Sequence, residues 1–288
     1  MTWFLDLRAN PVGGGVASHV TLRQGGGHYP YLDGFLDQVR GRDLLLATHG
    51  FNVDRADGIA KLSAWEALLQ LPDNYLFVGV LWPGDSRWVP VLDYPVEDRE
   101  ATDSAALLAS FVRSNFGAAL SLSFSSHSLG ARVLLETVRR LTDAGVPVNQ
   151  AVVMAGAIDD DCLATQYADS VAKLRDISLL ASLEDDVLKW AFPLGNPLAG
   201  IISEGHPYWR GALGRYGPSG RRPANLGSAW QIPDAWNYGH GNYLGASPQP
   251  KAQPVSLPAP SNPVLPDAEK PAWSAGFVAT RLRRVLGR

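Results

Sequence analysis

The sequence is poor in cysteine and in charged residues, and both shortages narrow the classes of protein it can belong to. Among its 288 residues there is one cysteine, Cys162, which excludes an intramolecular disulfide and a cysteine-based metal cluster. Charged residues make up 18% of the chain, and the formal net charge of -3 provides no broad basic field to attract nucleic acid. Stability must therefore come from packing, and we expect no nucleic-acid partner.

Long apolar runs and several well-known site motifs are missing as well. No stretch approaches the roughly 18 apolar residues of a membrane-spanning helix, and the N-terminal run in MTWFLDLRANPVGGG is too short for a secretory signal. There is no HExxH zinc pattern, no GxxxxGK[ST] phosphate loop and no GxGxxG sequence after a strand. We therefore expect a cytoplasmic protein with no transmembrane segment, no metal and no other cofactor.

Short apolar runs alternate with longer segments of helical periodicity through most of the chain. The predicted strands are residues 2–9, 19–24, 43–49, 75–83, 119–125, 148–157, 175–183 and 225–232. The predicted helices are residues 31–40, 56–71, 100–116, 129–145 and 163–174. Because apolar strands joined by crossover helices form parallel sheets, this order predicts an α/β fold with a mostly parallel central sheet and helices on both faces.

Composition divides the chain into three parts. Residues 1–245 are predicted to form one domain, in which residues 192–223 are a loop-rich insertion that could act as a partial lid. Eight of the 21 prolines fall within residues 248–271, so residues 246–272 are predicted to be an extended linker. Residues 273–288 form a basic amphipathic segment that could dock on its own domain, on a partner or on an anionic membrane surface.

The sequence SSHSLG stands where a predicted strand changes into a predicted helix. Ser126 and Gly130 are small residues two positions before and after Ser128, as in the nucleophile elbow GxSxG, with Ser126 in place of the first glycine. A sharp turn of this kind exposes a serine hydroxyl at the top of a sheet. Ser128 is therefore a candidate nucleophile, and the alternative is that it only caps the helix beginning at Leu129.

Six segments together give a resemblance to a known family. They are THGFN (48–52), LWPG (81–84), DREATDSAALLASF (98–111), SSHSLGARV (125–133), SLEDDVL (182–188) and GHGNY (239–243). Over residues 43–244 the chain resembles the α/β-hydrolase fold and, within it, the serine-esterase-like bacterial α/β hydrolases of unknown function. The resemblance implies a serine hydrolase of carboxylesterase or lipase type, with the serine, the acid and the histidine in that order along the chain.

A serine nucleophile needs a histidine to accept its proton and a carboxylate to orient that histidine. The resemblance aligns Asp185, at the end of a predicted strand, with the acid. Asp186 is an alternative, although it and Glu184 could instead interact with the N-terminus of the next helix. The three aspartates at positions 159–161, in the sequence IDDD, follow the preceding predicted strand and are a further option for the acid. The other interpretation is that they form a solvated cap at the start of a helix.

His240 is the predicted catalytic base because it follows the last predicted strand. Gly239 and Gly241 flank it and are expected to let the loop bend back over the site. His206, in the loop-rich insertion, is the alternative. His127 is expected to point away on the strained turn and not to act as the base.

The loop after residues 43–49 is the predicted oxyanion-binding loop. The backbone N–H groups of Phe51 and Leu129 are the expected donors to the oxyanion, and His49 is expected to shape the loop rather than act as a base. Aromatic residues near the predicted site could line an apolar acyl pocket or simply pack beneath the loops. They are Phe51, Trp82, Trp88, Tyr208, Trp209, Trp236 and Tyr243.

These residues together predict cleavage of a carboxylic ester, with an apolar acyl group, through an acyl-enzyme. The same triad could also cleave amides or thioesters or transfer an acyl group. A non-catalytic interaction protein is the remaining alternative, in which the linker and the basic tail recruit a partner or a membrane surface. Truncation after Gly245 is expected to spare hydrolysis of a small ester.

Overall fold

The computed structural model of the chain describes residues 1–85, 94–190, 211–245 and 264–285. Its strands are β1 (Trp3–Arg8), β2 (Val16–Gln24), β3 (Gly27–His28), β4 (Asp43–Thr48), β5 (Tyr75–Leu81), β6 (Ser121–His127), β7 (Gln150–Met154), β8 (Asp176–Ser182) and β9 (Leu226–Ile232). They form one sheet in the order β3-β2-β1-β5-β4-β6-β7-β8-β9. The pairs among β1, β2 and β3 are antiparallel, and every other pair is parallel.

In the described part of the chain, helices lie between the successive strands from β3 to β9, and one more helix follows the last strand. They are α1 (Leu32–Val39), α2 (Arg55–Leu69), α3 (Tyr94–Asn115), α4 (Gly130–Asp143), α5 (Ala168–Ala172), α6 (Leu213–Tyr216) and α7 (Lys270–Val285). Every residue of β4, β5 and β7 is buried, because layers of helix cover both faces of the central sheet. The predicted α/β-hydrolase architecture is confirmed.

Strand register brings the site loops together. In the parallel pair of β4 and β6, Thr48 is opposite Ser126, so the chain leaves both strands at the same level. In the pair of β8 and β9, Ser182 is opposite Ile232. The segments after these four strands therefore meet at the carboxyl edge of the sheet, where open α/β sheets bind their ligands.

Helix α5 is shorter than the predicted helix at residues 163–174. Residues 160–167 form turns, and the helix begins only at Ala168. One cause is local competition for a carbonyl group, since the Thr165 hydroxyl donates to the Asp161 carbonyl at 3.0 Å and the Ala164 N–H donates to the same oxygen at 2.8 Å. A regular helix would use that carbonyl for the N–H of Thr165.

The C-terminal segment packs on the rest of the chain. Helix α7 contacts α2, and the side chains of Trp273, Phe277 and Leu282 are buried. Within the described residues no helix is both long and apolar enough to span a membrane. Several predictions concern positions outside the described residues, namely most of the loop-rich insertion (192–210), the linker residues 246–263, Trp88, His206, Tyr208 and Trp209.

Candidate active site

Ser128 has a left-handed backbone conformation at the junction of β6 and α4. Its φ of 56° lies in a region that residues other than glycine rarely adopt, so the surroundings must hold it there. The Ser128 N–H donates to the Met154 carbonyl at 3.0 Å. The Ser128 carbonyl accepts from the N–H groups of Ala131 at 3.0 Å and Ala157 at 3.1 Å. This strained turn is the geometry of a nucleophile elbow.

Ser126 and Gly130 lie two positions before and after Ser128, and each is small for a different reason. A Cβ atom on Gly130 would lie 2.3 Å from the His49 carbonyl oxygen and 2.7 Å from Thr48 Oγ1, so α4 approaches the end of β4 more closely than a side chain allows. Ser126 is fully buried, and its hydroxyl makes no hydrogen bond to any described group. Ser126 thus contributes its small volume to the elbow and no polar contact.

The structure brings the three predicted side chains Ser128, His240 and Asp185 together. His240 Nε2 lies 2.7 Å from Ser128 Oγ, and His240 Nδ1 lies 2.7 Å from Asp185 Oδ2. A carboxylate can only accept, so the proton of the neutral imidazole is on Nδ1 and Nε2 is free to accept the serine proton. Asp185 is fully buried, whereas 16% of the His240 side chain is exposed and can be reached from solvent.

Further hydrogen bonds fix Asp185 after the end of β8. Its Oδ1 accepts from the Leu188 N–H at 2.9 Å, and its carbonyl accepts from Nη1 of the buried Arg215 at 2.7 Å. Asp186 is exposed. The local sequence did not distinguish between these two aspartates as the acid. In the structure, the backbone after β8 directs the Asp185 side chain toward His240.

The third acidic option, residues 159–161, is engaged elsewhere. The Asp160 carboxylate accepts from the Ser219 hydroxyl at 2.8 Å, and the Asp160 N–H donates to the Gly211 carbonyl at 2.9 Å. These bonds tie the loop after β7 to residues 211–219. They give Asp160 a structural role, and no hydrogen bond joins it to His240 within the described residues.

The predicted role of the glycines beside His240 is wrong. Gly239 has an ordinary extended conformation (φ -78°, ψ 171°), and a Cβ atom on Gly241 would meet nothing within 4 Å. The chain instead reverses at Asn237, whose φ is 46°, and a 3-10 turn at His240–Asn242 then places the imidazole. The Asn242 side chain closes that turn by accepting from the Gly239 N–H at 2.7 Å.

The loop after β4 lies directly against Ser128. A Cβ atom on Gly50 would be 2.8 Å from Ser128 Cβ and 3.4 Å from its Oγ. Among the described residues, the N–H groups of Phe51 and Leu129 make no hydrogen bond, and Leu129 precedes the N-terminus of α4. Two unused donors beside the serine are what an oxyanion site requires.

His49 lies beneath this loop and has a structural role, as predicted. Its Nδ1 lies 2.9 Å from the Gly50 carbonyl oxygen, and its ring stacks on Trp82 with centroids 5.9 Å apart. Trp82 Nε1 in turn donates to the His49 carbonyl at 2.8 Å. Complete burial lowers the pKa of His49 from 6.5 to about 3, so the ring is neutral at physiological pH.

His127 does not point away from the site, as the sequence had suggested. Its Nε2 lies 2.8 Å from the carbonyl oxygen of His240, so it donates a hydrogen bond to the backbone of the residue in contact with Ser128. Burial, and secondarily the nearby His240, hold the pKa of His127 well below its usual value. His127 is therefore a neutral support for the His240 loop.

Arg8 is a site-supporting residue that no sequence signal identified. Its buried guanidinium donates to the carbonyls of Val53 at 3.1 Å and Trp82 at 2.9 Å and pairs with Asp85. These partners belong to the segments that follow β4 and β5. Arg8 therefore joins the predicted oxyanion loop to the neighbouring loop through main-chain contacts, which leave no pattern in the sequence.

The aromatic residues fall into two groups. Trp82, Trp236 and Tyr243 are fully or almost fully buried and pack beneath the loops, while Phe51 is partly exposed. In the described part of the chain, no group of three or more His, Cys, Asp or Glu side chains is arranged to hold a metal ion.

An elbow serine, a histidine and an aspartate at the carboxyl edge of a mostly parallel sheet are the features of the α/β-hydrolase class. The chain belongs to the family described as "Alpha/beta hydrolase of unknown function (DUF900)", whose model matches residues 31–199. A comparison with curated proteins found no match.

Several solved structures are similar to this chain at low sequence identity. The Pyrobaculum calidifontis esterase is 12% identical, with a TM-score of 0.44 over 86% of this chain and 78% of that one. Aspergillus fumigatus lipase B is 10% identical, with a TM-score of 0.38 over 98% and 74%. YbtT, a type II thioesterase of the yersiniabactin pathway, is 23% identical, with a TM-score of 0.30. That match covers 40% of this chain and less than half of YbtT, 43% of its length.

Proposed function

We propose that this protein is a serine hydrolase that cleaves carboxylic esters through an acyl-enzyme. The observation that carries the proposal is the continuous chain of 2.7 Å contacts from Ser128 through His240 to Asp185. It costs folding free energy to hold together a buried carboxylate, a partly exposed imidazole and a serine in a strained turn. Nucleophilic catalysis uses all three.

In the first half of the reaction, Ser128 Oγ attacks the ester carbonyl carbon while its proton passes to His240 Nε2. The carbonyl oxygen becomes an oxyanion and accepts hydrogen bonds from the N–H groups of Phe51 and Leu129. When the C–O bond of the ester breaks, the leaving alkoxide takes the proton from His240. Asp185 stabilises the imidazolium that exists between these two proton transfers.

In the second half, water attacks the carbonyl carbon of the acyl-serine and gives a proton to His240 Nε2. The new oxyanion uses the same two N–H donors. Collapse of the intermediate releases the carboxylic acid, and the proton returns from His240 to Ser128 Oγ. Each half of the reaction therefore returns the proton that His240 accepted at Nε2.

The acyl group and the leaving group are further parts of the proposal. The partly exposed Phe51, beside the unused N–H donors, supports an apolar acyl group. Thioesters and amides proceed through the same oxyanion, so a panel of acyl p-nitrophenyl esters of increasing chain length should include one thioester and one anilide. We expect the esters to be turned over fastest.

Ser128→Ala is the direct test. Loss of the nucleophile should reduce kcat/KM for a p-nitrophenyl ester by at least about 10³-fold, with circular dichroism and Tm retained. Ser126→Ala is the matched control, because it removes a serine hydroxyl two residues away that makes no hydrogen bond to a described group. Turnover that survives in Ser128→Ala and equals that of Ser126→Ala would contradict the proposal.

A fluorophosphonate probe separates an enzyme from a non-catalytic platform. Covalent labelling of Ser128 requires both an activated serine and an oxyanion site. We expect labelling in the full-length protein and in Ser126→Ala, and none in Ser128→Ala. Absence of labelling in the full-length protein would favour an interaction protein built on the hydrolase fold.

A further inference from the structure

The loop that carries His240 runs along the first turns of α7. The Tyr238 hydroxyl donates to the Lys270 carbonyl at 2.6 Å. The Ser274 hydroxyl lies 2.5 Å from the Tyr243 carbonyl, to which it donates, and 2.9 Å from the Pro271 carbonyl of its own helix. The two bonds between the loop and α7 hold the loop two residues before His240 and three residues after it, both from the same helix.

Lys270 adds a third contact at the point where the loop reverses. Its residue is 2% exposed, and its Nζ donates to the Asn237 carbonyl at 2.7 Å and pairs with Asp267 at 2.5 Å. A buried ammonium group requires such partners. Because Asn237 has a left-handed φ of 46°, a strong donor on its carbonyl helps to hold the strained conformation.

Aromatic rings fill the space between these hydrogen bonds. Tyr238 and Tyr243 lie with ring centroids 4.8 Å apart, and Trp273 of α7 lies 5.2 Å from Trp236 and 6.0 Å from Tyr238. All four rings are at most 1% exposed. The side of the loop that faces α7 is therefore closely packed and has little room to move.

The opposite side of the loop is held by β6. His127, the last residue of that strand, donates to the carbonyl of His240 at 2.8 Å. The loop thus lies between the strand that carries Ser128 and the helix at the C-terminus. A shift of α7 would change the position of His240 relative to a serine that is itself fixed by backbone bonds.

We propose that α7 positions His240 for proton transfer, with Tyr238 and Ser274 as positioning residues. This inference rests on the function proposed above, since it assigns a role to the base of that reaction. The physical reason is that proton transfer depends steeply on geometry, and a displacement of about 1 Å can cost about 10²-fold in rate. The segment predicted as a separate amphipathic tail would then be part of the active-site structure.

The test uses the full-length variants Tyr238→Phe and Ser274→Ala and their combination. Each removes one hydroxyl and leaves the packing of its ring or helix in place. We expect kcat for a p-nitrophenyl ester to fall about 3-fold to 10-fold in each single variant and further in the double variant. KM should change by less than about twofold, because the base acts in the chemical step.

Thr280→Ala is the matched control on the same helix. The Thr280 hydroxyl donates to the Gly276 carbonyl within α7, and among the described residues it makes no hydrogen bond to the His240 loop. This variant should keep the kcat of the unmodified protein. A fall in kcat equal to that of Ser274→Ala would show that any disturbance of α7 has the same effect, and would overturn the assignment.

Hydrogen exchange supplies a readout that does not depend on catalysis. In the double variant, amides of residues 237–245 should exchange faster while those of β6 keep their protection. Unchanged exchange with unchanged kcat would overturn the inference, and so would equal loss of protection in β6, which would make α7 a general folding element. If the unmodified protein hydrolyses no ester, the proposed function fails, while the exchange comparison still decides whether α7 holds the loop.

Discussion

Gly50 shows at the scale of one residue how closely the loop after β4 approaches Ser128. A Cβ atom there would lie 2.8 Å from Ser128 Cβ and 3.0 Å from His127 Nδ1. Both distances are shorter than or at the limit of what real side chains tolerate. The position requires glycine because of this close approach, and its backbone φ is not left-handed.

Gly50→Ala should therefore displace the loop after β4, which carries the proposed oxyanion donor Phe51, while leaving the fold intact. We expect kcat/KM to fall by about 10²-fold, since the displacement misaligns a donor for the oxyanion. Gly241→Ala is the control, because a Cβ atom there would meet nothing within 4 Å. Steady-state kinetics on both variants, with Tm measured in parallel, test whether kcat/KM falls only in Gly50→Ala. Equal activities would show that the loop adapts and that its alignment is not critical.

At the scale of elements, α7 is the part of the chain whose role changed most between sequence and structure. Its periodicity predicted an amphipathic segment, and the structure places the apolar face against the domain. Trp273, Phe277 and Leu282 are at most 1% exposed, and Trp230 packs edge-on against the Trp273 ring at 5.3 Å. Burial of each large apolar side chain contributes about 1.5–3 kcal/mol.

Truncation after Gly245 should therefore abolish folding, contrary to the expectation from the sequence. Loss of three large buried side chains removes roughly 5–9 kcal/mol, which is comparable to the whole stability of a typical domain. The measurement is soluble expression and the circular dichroism melt of a chain ending at Gly245, beside the full-length protein. A truncated chain that melts cooperatively and hydrolyses an ester at the full rate would contradict both this prediction and the positioning role of α7.

At the scale of the whole molecule, two buried neutral histidines connect stability to pH. Burial lowers the pKa of His49 from 6.5 to about 3 and holds that of His127 well below its usual value. Both rings are neutral in the folded protein, whereas in the unfolded chain they bind protons below about pH 6.5. The unfolded state therefore binds more protons as the pH falls, and the stability that is present above pH 6.5 is lost toward about pH 3.

Acidification from pH 7.5 to 5.5 should reduce the free energy of unfolding, with roughly 1 kcal/mol of the loss due to His49. Urea denaturation at the two pH values measures this directly. His127→Gln retains a donor for the His240 carbonyl but removes one titrating group, so its loss over the same range should be smaller. An equal loss in the variant would show that His127 is not responsible for part of the pH dependence.

The sequence by itself determined the fold class and the chemistry to look for. Apolar strands alternating with helical segments depend on short-range periodicity, and the helical crossovers required a parallel sheet. The elbow was recognisable because its small residues lie at fixed positions around Ser128. The order of serine, aspartate and histidine then named candidates whose side chains lie in contact in the structure.

Only the tertiary structure decided between the adjacent aspartates Asp185 and Asp186 and identified the residues that hold the site loops in place. The direction in which the chain leaves β8 turns the Asp185 side chain toward His240 and leaves Asp186 exposed. The local sequence does not encode this direction relative to the loop that carries His240. The contacts of His127, Arg8 and α7 join segments that are far apart in sequence and are made largely to backbone carbonyls. Because every residue offers the same carbonyl, such contacts have no sequence signature, and they become visible only once the chain is folded.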